Sequence, residues 1–544
     1  MNRSIGLDGT AFDAIVIGGG VAGAGVARDL ALRGASVALF EKQDFASGTS
    51  SKSSKLIHGG LRYLELGDLA LVRESLREKK HLERLAPHLV QPLPFLVPVY
   101  RGGRRGLITV RIGMWLYNLL TPGKGTERFR VLGALDALSL EPALHAEGLR
   151  GAGYYFDDLL LFPERLCLEN VLSAVRHGAR AYNYCEVEEV VRGATGPEGV
   201  RVRDLLTNRV HTARGRVIVN ATGPWVDRIR ERAGVSDAGR RLVRTTKGIH
   251  CLLPRLTERA VYLSGTDERM IFVIPWREFS LVGTTDTDFS GDLDRLWATR
   301  EEVEYLLSAT RQVLPDPRVA LDRVAYTYAG VRPLSFEAGR PASRVSREHK
   351  VVVESGGHFL SVTGTKLTCF RSLAEQVGDR VMQALGRSVP SPSGRRSLDG
   401  LDEESLVEAR VQMDVSEDMA ASGLGRPALQ TLVETYGRSY PRVLELARKY
   451  PDGLTRLCPE NPEIVGQLHH AVRDEMAVTL QDVLLRRTGI GQSACLGLDC
   501  AEPIARRMAE IAGWSRRRVD AEIDAYRGHV DRSLRFREAS APSA

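Results

Sequence analysis

Apolar positions cluster at the start of the chain. "FDAIVIGGG" (Phe12 to Gly20) is a near-continuous apolar run that stops on glycines, which predicts a buried strand feeding a tight turn. "VAGAGVARDLALRG" then reads as a helix closed by Gly34, and "ASVALFEK" as a second buried strand ending at Glu41. Strand, turn, helix and strand together have the length of a right-handed βαβ unit. From Glu186 the period shortens: "EVEEVVR", "GVRVRD" and "RVHTA" predict an antiparallel meander, and "GRVIVNATGPW" returns to a buried strand. "MIFVIPW", "FSLVGTTDTDF" and "RVAYTYAGVRPL" form a β-rich zone that holds one helical stretch, "TREEVEYLLSATRQVL". "VVVESGGHFLSVTGTKLTCFRSLAEQVGDRVMQAL" reads as strand, turn, strand, turn and helix. A polar Ser/Gly-rich linker is expected near residues 390–403, with an almost wholly helical region beyond it.

The length, 544 residues, exceeds what one core serves, so two or three domains are expected. Apolar content of 43% and charged content of 26% are those of an ordinary globular protein. No window reaches the length of a membrane-spanning helix, and the N-terminus does not read as a signal peptide, so a cytoplasmic or cytoplasm-facing protein is expected. Seven scattered cysteines without a CxxC pair argue against a disulfide framework and against a cysteine-ligated metal; Cys495 and Cys500 read as core thiols, and no metal is expected. The net charge of +7 is compatible with nucleic acid, an anionic membrane or an anionic substrate. No basic stripe interleaved with stacking aromatics occurs, so no nucleic-acid partner is expected. "RGGRRGLITVRIGMWLYNLL" (Arg101 to Leu120) mixes four arginines with Leu107, Ile108, Val110, Met114, Trp115 and Tyr117, a composition that suits an anionic membrane surface. The basic stretch near the end, "WSRRRVDAEIDAYRGHVDRSLRFR", suits a solvated helix face at least as well.

Gly18, Gly19, Gly20 and Gly23 fit G-x-G-x-x-G between a strand and a helix, with Glu41 at the end of the next strand. That context marks a dinucleotide site. Gly18 allows the turn, Gly20 opens the way to a pyrophosphate, and Gly23 lets helix and strand pack closely. The helix N-terminus presents N–H groups and positive dipole to the phosphates. Glu41 offers acceptors to ribose hydroxyls, with Lys42 beside it. The position of the fingerprint at the chain start favours FAD over NAD.

The residue blocks resemble a known family. "IGGGVAGAGVARDLALRG", "TSSKSSKLIHGGLRYLE", "NATGPWVD", "KGIHCLLP", "FVIPW", "FSLVGTTDTD", "YAGVRPL" and "TGTKLTCFRSLAE" occur in the order found in FAD-dependent sn-glycerol-3-phosphate dehydrogenases of the bacterial aerobic type. The late block departs from the usual Gly-Gly-Lys, reading Gly364-Thr365-Lys366. The resemblance implies a Rossmann-like α/β FAD-binding domain of the glutathione-reductase/D-amino-acid-oxidase type, an antiparallel β substrate domain and a C-terminal helical domain. It divides the chain into 1–92, 155–243 and 350–393 for FAD, 93–154 and 244–349 for substrate, and 400–544 for the helices.

It also implies a reaction: oxidation of the secondary alcohol of sn-glycerol 3-phosphate, with hydride passing to flavin and a base taking the hydroxyl proton. Arg62, Arg332 and Lys366 are the candidate phosphate ligands, in three separate blocks. His250 is the candidate general base, a role that His58 could exchange with it, and Arg332 would stabilise developing alkoxide charge. His58 and Gly59 are placed beside the flavin ring, and Tyr63 is either a substrate ligand or packing. Thr49, Ser50 and Ser54 are candidate cofactor hydroxyls. Ala221, Thr222 and Gly223 would approach the adenine half, and Gly364, Thr365, Lys366 and Leu367 a helix N-terminus at the flavin. The electron acceptor implied is a membrane quinone, with the protein peripheral on the inner face of the cell membrane. An oxygen-using oxidase is the alternative, and a homodimer is one assembly the resemblance allows.

Overall fold

The computed structural model describes residues 6–7, 10–65, 67–103, 106–121, 129–193, 196–235, 240–264, 269–337, 339, 348–364, 366–401 and 416–538. The protein has a mixed α/β fold with a C-terminal helical region.

The first sheet is built on strand Ala11–Ile17, which lies parallel between Val210–Asn220 and Val37–Phe40. Ala14 faces Val217 on one side and Val37 on the other, and Ile17 faces Asn220 and Phe40. A strand buried on both faces needs the unbroken apolar run that the sequence carries there. Phe359–Thr363 adds beyond Val210–Asn220, and Arg180–Tyr182 beyond Val37–Phe40. The expected meander is present: Cys185–Arg192 and Pro197–Asp204 pair antiparallel and lead into Val210–Asn220. Helices Val21–Leu32, Pro163–Arg176 and Phe370–Ala384 pack beside the sheet, and their apolar faces close one core with it.

The second sheet is the one expected to carry the substrate. Val243–Pro254 pairs antiparallel with Tyr326–Ser335 on one edge and with Phe279–Gly283 on the other. Alternation decides which side chains face the site. Ile249, Cys251 and Leu253 point to a core with helix Arg300–Val313, whose N-terminus carries a Thr299/Glu302 capping box. Gly248, His250 and Leu252 therefore point to the opposite face. Strands Val90–Tyr100 and Leu149–Leu160 run through this sheet as paired neighbours. The boundaries expected at 92/93 and 154/155 fall inside these two strands.

The helical region includes Arg426–Tyr436, Tyr440–Ala447, Val465–Asp474, Ala501–Ala512 and Arg516–Leu534. It docks through buried ion pairs: Asp44 accepts from Arg486 (2.6 Å) and Arg487 (2.8 Å), and Arg165 joins Glu169 to Glu475. Each buried charge there has an opposite partner, which a buried charge requires. The polar linker is not solvated slack. Arg28 donates to the carbonyls of Ser393, Arg396 and Ser397, and Leu398 is fully buried. Among the described residues no helix is long and apolar enough to cross a membrane.

Candidate active site

The turn after the first strand is forced by its glycines. Gly18 has φ +103°, where an L side chain is strained, and a Cβ there would lie 2.7 Å from the Ala221 carbonyl oxygen. A Cβ on Gly23 would lie 1.9 Å from the Gly18 carbonyl oxygen, so the helix could not approach the strand. Helix Val21–Leu32 starts at Gly20 without a side-chain cap, and the Val21 N–H donates to Ser50 Oγ (2.9 Å). Glu41 accepts from the N–H groups of Gly19 (2.7 Å) and Gln43 (2.9 Å), which ties the turn to the end of the second strand. A carboxylate has further lone pairs, so this does not exhaust Glu41 as an acceptor. Lys42 pairs with Asp294 (2.5 Å) and lies 4.1 Å over the Trp225 ring.

One cavity of about 380 Å³ runs from this turn to the second sheet. Gly18, Gly20, Glu41, Lys42, Thr49, Ser50, Ala221, Thr222 and Gly223 line one end; Ser54, His58, Tyr63, His250, Arg332, Gly364, Lys366 and Leu367 line the rest. Residues from five separated stretches thus meet at one void. Gly59 is turned elsewhere: its N–H donates to Tyr117 Oη (2.9 Å) and Asp157 Oδ1 (3.3 Å), in buried surroundings. The Arg62 side chain and Thr365 lie outside the described residues.

His250 is 2% exposed, stacks on Tyr328 (ring centroids 4.9 Å apart), and has Nε2 2.9 Å from Ser54 Oγ. Its Nδ1 is buried and has no hydrogen-bond partner among the described residues. Burial holds the imidazole well below the usual histidine range, and the charges of Arg332 and Lys55 push the same way. His250 is therefore neutral at physiological pH and able to take a proton. Its ring fits because its cross-strand neighbour is glycine: a Cβ on Gly283 would lie 2.3 Å from His250 Cδ2.

Arg332 obeys the same logic. Its guanidinium lies over Gly248, where a Cβ would come within 2.3 Å of Nη2. It donates to Thr284 Oγ1 (2.7 Å), the Thr285 carbonyl (3.1 Å) and Asp286 Oδ1 (3.2 Å). Lys366 precedes a 3₁₀ turn, Leu367–Cys369, that runs into helix Phe370–Ala384. Its ammonium donates to the His58 carbonyl (2.7 Å) and Ser75 Oγ (3.0 Å) and sits 5.1 Å over the Tyr63 ring. The late motif therefore pins the His58 loop in place. Tyr63 is buried in the core and also lines the cavity. Thr49 Oγ1 donates to the Val331 carbonyl (2.6 Å), so the cofactor-side loop is stitched to the strand that carries Arg332.

Other lining groups carried no expectation of their own. Lys52 is pulled down to about 8 by burial and faces Tyr328, its ammonium 5.9 Å from the ring centre. Arg269 and Asp286 also reach the cavity. Lys52 and Asp286 lie in "SKSSK" and "TTDTD", stretches already expected near the site, but neither residue was singled out by composition.

Residues 13–368 match the FAD dependent oxidoreductase family, and residues 363–519 match the C-terminal domain of alpha-glycerophosphate oxidase. The glycerol-3-phosphate dehydrogenase of Synechocystis sp. is 36% identical over 97% of this chain and 98% of its own. The aerobic glycerol-3-phosphate dehydrogenase of Bacillus subtilis is 34% identical over 88% of this chain and 87% of its own. The crystal structure of the glycerol-3-phosphate dehydrogenase of Bacillus halodurans complexed with FAD superposes with a TM-score of 0.81, at 29% identity, covering 98% of this chain and 97% of that one.

The chain belongs to the FAD-dependent glycerol-3-phosphate dehydrogenases.

FAD is the cofactor of this dehydrogenase, and its residues fit the group. The glycine cradle closes on any Cβ at Gly18 or Gly23, and the uncapped helix N-terminus is a phosphate site of the ordinary kind. The same cavity that the cradle opens into is also lined by His250.

Proposed function

We propose that the dehydrogenase oxidises sn-glycerol 3-phosphate to dihydroxyacetone phosphate and hands the electrons to a membrane quinone. The observation that carries this reading is a buried, neutral His250 in the same void as the cations Arg332 and Lys366. The substrate is an alcohol bearing a dianion, and the void offers a base for the first and fixed positive charge for the second. Bound FAD supplies the hydride acceptor. His250 takes the C2 hydroxyl proton as the carbonyl forms, and Arg332 stabilises the developing negative oxygen. Lys366 and Arg332, with Arg62, hold the phosphate. A dianion brought beside His250 favours the imidazolium, so substrate binding itself raises the basicity that burial has lowered.

The quinone reading is supported by helix Leu107–Leu120. Val110, Met114 and Tyr117 are buried, while Ile108 (75% exposed), Ile112 (60%), Trp115 (58%) and Leu119 (64%) form one outward stripe. An apolar, tryptophan-bearing helix face beside basic residues suits the headgroup layer of an anionic membrane, with the protein peripheral on the inner face of the cell membrane. The C-terminal basic helix does not share this character. Tyr526 and Val530 are buried, and Tyr526 donates to the Leu496 carbonyl (2.6 Å).

Oxygen as acceptor is the second reading, and the match of residues 363–519 to a glycerophosphate oxidase domain favours it. One experiment separates them. The flavin spectrum is followed under argon as glycerol 3-phosphate is added, and the reduced enzyme is then mixed with a short-chain quinone or with oxygen. Bleaching by substrate and fast reoxidation by quinone are expected. A flavin that stays yellow sinks the substrate assignment; stoichiometric hydrogen peroxide with slow quinone turnover replaces the acceptor.

A further inference from the structure

The helical region gathers thiols that the sequence scatters. Cys458 lies in the segment between helices Tyr440–Ala447 and Val465–Asp474; Cys495 and Cys500 flank the loop that leads into helix Ala501–Ala512. Cys458 Sγ is 3.8 Å from Cys495 Sγ and 3.8 Å from Asp499 Oδ1. The ligand atoms of Cys458, Asp499 and Cys500 all lie within 4.8 Å of one another. All seven cysteines are free thiols in the structure.

The spacing is that of metal ligands. Zinc–sulfur bonds of about 2.3 Å at a tetrahedral angle put neighbouring sulfurs roughly 3.8 Å apart. A disulfide would need about 2.0 Å. The surrounding donors are arranged for thiolates. The Gly497 N–H donates to Cys495 Sγ (3.3 Å) from a turn in which Leu496 and Gly497 have φ +49° and +65°. The Glu460 N–H donates to Cys458 in the same two-residues-on relation. Asn461 Nδ2 donates to both sulfurs, at 3.0 Å to Cys458 and 3.3 Å to Cys495, and Ser493 Oγ is 3.3 Å from Cys495 Sγ. A neutral thiol is a weak acceptor that does not call for this many N–H groups, whereas a metal-bound thiolate does.

We propose that Cys458, Cys495, Asp499 and Cys500 bind a zinc-class divalent cation. The soft sulfur set selects zinc over magnesium or calcium. Binding exchanges thiol protons for metal–sulfur bonds, releases those protons to solvent, and changes no oxidation state. Cys458 and Cys500 are buried, Cys495 is half-buried and Asp499 is exposed, so the ion enters from the Asp499 side. Cys495 moves toward Cys500 to close the tetrahedron around it. The ion ties the Cys458 segment to the start of helix Ala501–Ala512, and Leu457, Cys458, Cys500 and Ala501 share one core cluster with Tyr326 and Tyr328 of the active-site strand. The proposal departs from the expectation of two core thiols and no metal, because Cys458 is remote in sequence and no CxxC announces the set.

The test uses the full-length FAD-loaded enzyme, reduced and stripped by a chelator, then titrated with cobalt(II). Tetrahedral thiolate ligation gives intense cobalt d–d bands in the red, clear of the flavin absorption. About one equivalent per chain is expected, displaced by zinc. Cys500→Ser abolishes the bands, while Cys167→Ser, at a buried cysteine in another part of the fold, leaves them intact. Asn461→Ala weakens the affinity by ~10-fold while the flavin spectrum stays native, because it removes donors to the sulfurs and no ligand. If Cys500→Ser does not fold, Asp499→Asn, at an exposed position, carries the same test and weakens binding. Octahedral cobalt spectra, uptake equal in wild type and Asp499→Asn, or a mass loss showing a Cys458–Cys495 disulfide in the enzyme as isolated would each overturn the site.

Discussion

The Nε2 atom of His250 lies 2.9 Å from the hydroxyl of Ser54. Ser54 belongs to the loop expected to serve the cofactor, and His250 to the strand expected to serve the substrate. Their contact joins the two halves of the site through one hydrogen bond. Tyr328 fixes the ring plane by stacking, and Ser54 fixes which way Nε2 points. Ser54→Ala removes only the second restraint. The rate of flavin reduction by glycerol 3-phosphate is expected to fall by about tenfold with KM little changed, because orientation of a base contributes in the transition state more than in binding. Stopped-flow reduction measures this. An unchanged rate would leave the orientation of His250 to Tyr328 alone.

Gly248 and Arg332 make a second pair. A Cβ on Gly248 would come within 2.3 Å of the guanidinium, which has no room to share. Gly248→Ala is therefore expected to displace Arg332 from the cavity and to copy Arg332→Ala. Both raise KM, by roughly tenfold or more for a lost charge-assisted contact of ~1.5–3 kcal/mol. Steady-state kinetics with an artificial acceptor gives the comparison. If Arg332→Ala leaves KM unchanged, the phosphate is held elsewhere.

The glycine turn and the βαβ unit are legible in the sequence because their constraints are mostly local: a buried parallel strand needs an apolar run, the positive φ of Gly18 is a property of its own backbone, and Gly23 answers to the carbonyl of Gly18 in the same turn. His250 stands in a strand of ordinary pattern, and only its cross-strand neighbours, Gly283 and Tyr328, mark its place. Glycine at 283 makes room for the ring, yet pairing between strands some thirty residues apart is not written in either strand. Hydroxyls such as Thr49, Ser50 and Ser54 read as cofactor donors by composition, and each also has a partner inside the fold. Gly59 looked like a point of approach to the ring, but its N–H serves Tyr117 and Asp157. The same distance problem hid the cluster around Cys458.

Two further histidines set the response to acid. Burial pulls both His88 and His529 down to about 3. His529 meets Tyr326 Oη at 3.0 Å and faces the positive charges of Lys52, Arg532 and Arg486. In the unfolded chain such a group takes a proton near 6.5. Between that value and about 3 the unfolded state binds more protons, so stability rises with pH and is lost as pH falls. Each such histidine contributes about 1.4 kcal/mol per pH unit in that window. His529→Gln keeps a hydrogen-bonding group and removes the titration. Urea unfolding at pH 7 and pH 5 should show a shallower loss in the variant; equal slopes would mean that His529 is protonated in the folded protein.

The outward stripe of helix Leu107–Leu120 makes a prediction about place rather than chemistry. Trp115 and Ile112 are exposed, and the opposite face is held by Tyr117, whose hydroxyl donates to Asp157 (2.8 Å) and accepts from Gly59. Charge on the stripe therefore leaves the inner face and the His58 loop untouched. Trp115→Glu with Ile112→Glu is expected to abolish sedimentation with anionic vesicles and to lower turnover with a membrane-resident quinone. Activity with a water-soluble acceptor should stay within about twofold of wild type, since exposed substitutions away from the core change stability little. Two carboxylates placed in a headgroup layer are repelled by anionic lipid and resist desolvation at the acyl boundary, so the loss should be stronger on anionic than on zwitterionic vesicles. Vesicle binding that survives the double substitution would move the membrane contact to another face of the molecule.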